Sequence, residues 1–254
     1  MSPNPDLVGK RVLVTGASSG IGLSIARAFL DNNCKVALNG RRSEVLDQIT
    51  AHNSDAFPAS GDVTIPSECD QIIAKAIAEL GGIDILVCNV GSGKISKSSS
   101  KSLDVWKEAF EVNLWSTINI IESATSHLEL SHGKIICISS ICGIERIKGA
   151  PVQYSCAKAA LNAFVKNSSH DFATKQITIN AVAPGNILFP GSTWEKKLSN
   201  DPEGVQRMLD SEVPLARLGM VEDIANLVLY LSTNHANFVT GSIWTVDGGQ
   251  CRSW

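Results

Sequence analysis

Arg11-Val12-Leu13-Val14-Thr15-Gly16-Ala17-Ser18-Ser19-Gly20-Ile21-Gly22 is the stretch that decides the architecture. An unbroken apolar run ends in a glycine-rich turn, and the amphipathic segment Ile21 to Leu30 follows at once. The run reads as a buried strand and the segment as a helix. The spacing of the turn is T-G-x-x-x-G-x-G. Its glycines let backbone pass close to a ligand, and the helix amino terminus offers free N–H groups to a pyrophosphate. Gly16, Ser18, Ser19, Gly20, Ile21 and Gly22 are the candidate phosphate-binding residues.

The same unit recurs along the chain. Strands are expected at Lys35 to Asn39, Ala56 to Ala59, Ile83 to Cys88, Lys134 to Ser139, Thr178 to Ala183 and Ser242 to Val246. Helices are expected at Ser43 to His52, Ile65 to Leu80, Leu103 to Leu130, Gln153 to Phe172 and Val221 to Ser232. Apolar strands separated by helices predict an α/β fold of the Rossmann-like, doubly wound kind, a parallel sheet with helices on both faces. Two stretches break the rhythm. Gly91 to Ser102 is rich in Gly, Ser and Lys, and Gly185 to Leu218 is long, with a helix expected around Trp194 to Leu198. In such sheets ligands bind beyond the carboxyl ends of the strands, where both stretches fall.

Composition narrows the partners. The 254 residues, 44% of them hydrophobic, suffice for one domain with a sizeable core. A formal charge of −3 with scattered basic residues argues against nucleic acid and against an anionic membrane surface. The first ten residues lack a charged start followed by an apolar run, and no later run approaches bilayer length, so a cytoplasmic protein is expected. Seven cysteines, without a C-x-x-C pair or a neighbouring His pattern, read as reduced thiols, and no metal site is expected.

Tyr154 and Lys158 lie four residues apart in a helical stretch and so leave the same face. A phenol near an ammonium ionises more easily, which suits proton exchange with an alcohol. Ser139 and Ser140 fall at the carboxyl end of the strand Lys134 to Ser139. Lys94, Lys97 and Lys101 offer cations for an anionic substrate, or solvated loop charges.

The turn spacing, Asn89-Val90-Gly91, Asn113, Ser140, Tyr154-x-x-x-Lys158, Pro184-Gly185 and Asp247-Gly248-Gly249 together resemble a classical short-chain dehydrogenase/reductase over nearly the whole chain. Cys88 and Val90 depart from the family's usual N-N-A-G. The resemblance implies that Ser140, three residues before Gly143, polarises the substrate oxygen and that Tyr154 exchanges its proton. Lys158 then lowers the Tyr154 pKa and binds the nicotinamide ribose, while Asn113 holds a water that leads protons to solvent. Asp62-Val63 falls where the family contacts adenine, and Asn89, Gly91, Pro184, Gly185 and Ile187 complete the cofactor set. A Thr usual four residues after Pro184-Gly185 is Phe189 here, with Ser192 or Thr193 as replacements.

The second strand ends Asn39-Gly40 and is followed by Arg41-Arg42, with no acid to bind both ribose hydroxyls. Gly40 leaves room and the arginines can pair with a 2′-phosphate, so NADP(H) is favoured and NAD(H) is the alternative. The expected function is hydride transfer between nicotinamide and a carbonyl or secondary alcohol. A 3-oxoacyl thioester, a ketone and a sugar derivative are the candidate substrates. An NAD-dependent alcohol or sugar dehydrogenase and a non-catalytic cofactor sensor are the rivals. The resemblance also implies a homo-oligomer, a tetramer or a dimer.

Overall fold

Val12, Leu13 and Val14 are buried without exposure, yet they face two different cores. The computed structural model describes residues 3–93 and 103–252. Lys94, Lys97 and Lys101 lie outside the described residues. In the first half, β1 (Arg11–Val14), α1 (Gly20–Leu30), β2 (Lys35–Gly40), α2 (Ser43–Thr50), β3 (Ala56–Ser60), α3 (Pro66–Leu80) and β4 (Ile85–Cys88) alternate. In the second, α4 (Leu103–Phe110), α5 (Ser116–Ser131), β5 (Lys134–Ile138), α6 (Val152–Thr174) and β6 (Thr178–Pro184) continue the pattern.

Pro184 is followed by β7 (Ile187–Leu188), α7 (Thr193–Asn200), α8 (Pro202–Glu212), β8 (Gly219–Met220), α9 (Val221–Ser232) and β9 (Ile243–Val246). Seven strands form one parallel sheet in the order β3-β2-β1-β4-β5-β6-β9. Alternation along each strand divides the apolar side chains into two layers. Leu13, Leu86 and Ile135 pack with Ile72, Ile120 and Leu161 of α3, α5 and α6. Val12, Val87 and Ile136 pack with Ile25, Phe29 and Val228 of α1 and α9. Burial on both faces explains why these strands are continuous apolar runs. The doubly wound sheet expected from sequence is therefore the fold.

Two expectations are corrected. The single helix from Leu103 to Leu130 is interrupted by a π-helical turn at Glu111–Trp115 between α4 and α5. The widened turn buries Asn113, whose amide donates to the Ala109 carbonyl at 2.9 Å and brackets the Ser92 backbone. The long loop from Gly185 to Leu218 holds more structure than the helix expected at Trp194. Pro202 at the start of α8 and the Asp201 side chain, which accepts from Gly204 N–H at 2.8 Å, begin a second helix. Val205, Leu209, Val213 and Leu218 form a small core of their own against Leu188 and Trp194.

At the amino ends of the strands, Asp84 fixes the pairing of β1 with β4. It accepts from Arg11 N–H at 2.8 Å, Nε at 3.0 Å and Nη2 at 2.7 Å. Burial pushes the Asp84 carboxyl up, but the Arg11 guanidinium and N–H outweigh burial and hold it below the usual carboxylate range. A depressed carboxylate contributes stability above its unfolded pKa of about 3.9 and loses it as pH falls through the folded value. Asp84→Asn is expected to lower unfolding stability by about 1–2 kcal/mol at pH 7. It should also flatten the acid limb below about pH 4. Denaturant melts across pH check both effects.

Candidate active site

The chain runs outward from β1 to β3 and then returns to place β4 on the other side of β1, so a crevice opens beyond their carboxyl ends. Thr15 and Asn89 bridge that gap. Thr15 Oγ1 accepts from Asn89 N–H at 2.9 Å, and Asn89 Nδ2 donates to the Thr15 and Gly16 carbonyls at 3.1 and 3.2 Å. Gly16 and Gly20 have φ of 62° and 57°, a left-handed backbone that accommodates glycine at little cost. Their turn leads into α1, whose first-turn N–H groups have no carbonyl partner within the helix.

A cleft of about 1060 Å³ opens there. Gly16, Ser18, Ser19, Gly20 and Ile21 line it from the turn, and Arg41, Arg42, Asp62 and Val63 from the ends of β2 and β3. Asn89, Gly91, Pro184, Gly185 and Ile187 line it from the ends of β4 and β6 and the start of β7. Gly22 does not reach the cleft. It is buried beneath the turn, where an added β-carbon would collide with Asn89 and the Gly16 carbonyl.

The second-strand end is built for charge. Arg42 Nη2 lies 3.5 Å from Ser18 Oγ, and Arg41 pairs with Asp62 at 3.7 Å. Asn39 is not available to a ligand in the same way, because its Nδ2 donates to the Ala59 and Gly61 carbonyls at 2.9 and 3.1 Å. Gly40 packs near Ser18, which an added β-carbon would meet at 3.4 Å.

Ser140, Tyr154, Lys158 and Asn113 line the same cleft. Ser140 Oγ accepts from Cys142 N–H at 3.1 Å. Ser139 points the other way, as strand alternation requires, and donates to Asn162 Oδ1 at 2.6 Å. Asn162 in turn donates to the Gly143 carbonyl at 3.2 Å, which ties the turn after β5 to α6. That turn lies so close to α6 that a β-carbon on Gly143 would meet the Lys158 carbonyl oxygen at 2.7 Å.

Lys158 is buried and donates from Nζ to the Ile138 carbonyl at 2.8 Å. Gly91 sits between Lys158 Nζ and Asn113 Oδ1, each 3.0 Å from where a β-carbon would stand. Burial pushes the ammonium down to about 8. It also pushes the Tyr154 phenol up to about 12, against the opposing pull of the Ser140 hydroxyl. The expected lowering of the Tyr154 pKa is thus outweighed by desolvation in the protein by itself.

The Phe189 ring lies directly on Gly20, whose added β-carbon would meet it at 2.7 Å. Ser192, a proposed replacement for the missing Thr, caps α7 by accepting from Glu195 N–H at 3.0 Å, and Thr193 is exposed at the cleft. Sequence reasoning missed Asn162 and Cys142. The polar Asn162 on the apolar side of α6 was the available signal for the first. Among the described residues no group of His, Cys, Asp or Glu could hold a metal ion, and no helix is long and apolar enough to cross a membrane.

A parallel doubly wound sheet, a glycine turn at its crevice and a Ser-Tyr-Lys cluster beside that turn define a dinucleotide-dependent oxidoreductase. A family model described as enoyl-(acyl carrier protein) reductase matches residues 16–250. Nodulation protein G of Rhizobium sp. (strain N33) is 36% identical over 248 residues, 96% of this chain and 98% of that protein. A 7α-hydroxysteroid dehydrogenase solved with NADH and 7-oxo glycochenodeoxycholic acid superposes with a TM-score of 0.87 at 29% identity, covering 98% of both chains. The L-sorbose reductase of Gluconobacter frateurii, solved with NADPH and L-sorbose, gives 0.89 at 27% identity, covering 98% of this chain and all of that one. The chain belongs to the short-chain dehydrogenase/reductase family. It is an NAD(P)-dependent oxidoreductase acting on a carbonyl or CH–OH group.

The buried ammonium has a cost that can be measured. Below pH 8 Lys158 is charged in both folded and unfolded chains, so the full burial penalty applies; it fades as pH rises from about 8 toward the unfolded value near 10.4. Lys158→Met is expected to raise unfolding stability by about 1–3 kcal/mol at pH 7, while activity is lost. Thermal melts at pH 7 and pH 10 check it, with the gain shrinking at the higher pH.

Proposed function

We propose that this enzyme reduces a ketone with NADPH, the proton coming from Tyr154. The observation that carries the reading is that Ser140, Tyr154 and a buried Lys158, one helical turn from Tyr154, line one cleft with the glycine turn. The residues fit a nicotinamide dinucleotide: a glycine turn with free N–H groups for the pyrophosphate, then Arg41, Arg42 and Ser18 for a 2′-phosphate. When bound, the cofactor supplies or accepts a hydride.

The chain's own residues do the rest. Ser140 donates to the substrate oxygen, and Tyr154 delivers a proton as negative charge develops there. A high phenol pKa keeps that proton in place before reaction. Lys158 holds the nicotinamide ribose with protons not used by Ile138 and favours phenolate as the proton leaves. Asn113 spends its amide on Ser92 and Ala109, so its water contact falls to the backbone of the π-helical turn.

The chain functions as one domain with residues 185–218 as the substrate loop, in the cytoplasm and as a homotetramer or dimer. A ketone, a 3-oxoacyl thioester and a keto-sugar are the substrates to screen.

Tyr154→Phe is expected to lower kcat about a thousandfold, with NADPH affinity within a fewfold of the native value. Near-native turnover would overturn the assignment of the proton donor. NADPH bound tightly but never oxidised against a broad carbonyl panel would mark a sensor instead.

Cofactor choice is tested separately. The native enzyme is expected to prefer NADPH to NADH in kcat/KM, and Arg41→Ala with Arg42→Ala to reduce that preference about tenfold or more. Gly40→Asp should move preference toward NADH, because a carboxylate there would repel the 2′-phosphate and bind the ribose hydroxyls.

A further inference from the structure

Two cations line the cleft that neither the hydride chemistry nor the second-strand arginines use. Lys148 lies in the turn that leads from Ser140 to Tyr154, and Lys197 on α7 in the long loop. The two segments are separate in sequence and border the same opening. Lys197 Nζ stands over the Trp194 ring, 4.2 Å from its centroid. That contact holds a long side chain that would otherwise lose more rotamer freedom on meeting an anion.

Neither lysine pairs with a carboxylate among the described residues, whereas Arg11, Lys107, Arg207 and Arg217 each do. Glu195, two residues from Lys197, is turned back onto Gly191 N–H at 2.7 Å. The acids facing the cleft are Asp62, tied to Arg41, and Glu108 on α4. Ile141, Ile147, Pro151 and Trp194 give the same cleft apolar lining.

We infer that Lys148 and Lys197 form an anion site for the substrate, which is a ketone on an apolar frame that ends in a carboxylate. The inference rests on the reductase reading above and adds the class of substrate. The carbonyl lies at Ser140 and Tyr154, the frame runs along Trp194, and the carboxylate meets the two ammonium groups at the rim. An anion shared between two ammoniums and shielded on one side by an indole ring is held more strongly than one at a fully exposed lysine.

The test uses the full chain with NADPH and a series of aliphatic methyl ketones of increasing length, each ending in a carboxylate or in the matching primary amide. Binding to the NADPH complex is read by fluorescence and turnover by NADPH absorbance. The carboxylate is expected to bind more tightly than its amide at the best chain length, by about fivefold for each lysine. Lys148→Gln and Lys197→Gln should each shrink that ratio about fivefold, and the double variant should bring it near one. Lys196→Gln removes the same charge from the same helix without touching the cleft, and is expected to leave the ratio in place.

Equal binding of acid and amide overturns the inference, as does an equal loss of ratio in Lys196→Gln. A weaker NADPH affinity in Lys197→Gln with an unchanged acid-to-amide ratio also overturns it, since the lysine would then serve the cofactor. Discrimination in binding without turnover of any ketone leaves the anion site standing and removes the reductase reading. Turnover without discrimination does the reverse.

Discussion

The Thr15–Asn89 bridge across the point where the sheet changes direction is the interaction on which the site depends. β1 and β4 are neighbours, yet the chain leaves β1 toward β2 and reaches β4 only after β3. Their carboxyl ends would otherwise splay into two unrelated loops. Four hydrogen bonds from Asn89 and Val90 to Thr15 and Gly16 hold the glycine turn and the Gly91 segment in one frame. Gly91 then presses against Lys158 and Asn113, so the frame that shapes the phosphate turn also fixes the floor of the catalytic cluster. At the opposite ends of the strands, Arg11 and Asp84 pin the same pair. Register errors are thereby opposed from both sides.

Lys158 shows how stability is traded against chemistry within that frame. Its ammonium is taken out of water with one carbonyl partner given by the Ile138 bond, and its lowered pKa records the strain. Asn162 makes this arrangement rigid. By joining Ser139 to the Gly143 carbonyl it locks the turn that carries Ser140 onto the helix that carries Tyr154 and Lys158. The turn that carries Ser140 and the helix that carries Tyr154 and Lys158 are therefore held together through Asn162.

Much of this was legible in the sequence because it rests on local pattern. Val12 to Val14 and Ile135 to Ile138 read as strands since both faces of the sheet are covered, and the glycine spacing placed the turn without any tertiary knowledge. What was not legible depends on contacts distant in sequence. Leu103 to Leu130 has an uninterrupted helical pattern, and the π-helical turn inside it comes with a contact from Asn113 to Ser92 that local pattern does not reveal. Gly22 carries the motif letter but packs underneath, because spacing alone does not separate a glycine that approaches a ligand from one that approaches Asn89. Desolvation of Tyr154 was likewise invisible, since a four-residue spacing reports the neighbour and not the depth.

Phe189 bears on how the cleft closes. Where the family resemblance implies a hydroxyl, this chain sets an aromatic ring on Gly20, at the amino end of α1. The ring belongs to the segment that continues through the Ser192 cap into α7, and α7 carries Trp194 and Lys197. Any group placed against the glycine turn must share that space with the ring. The segment has a small core of its own at Val205, Leu209 and Val213.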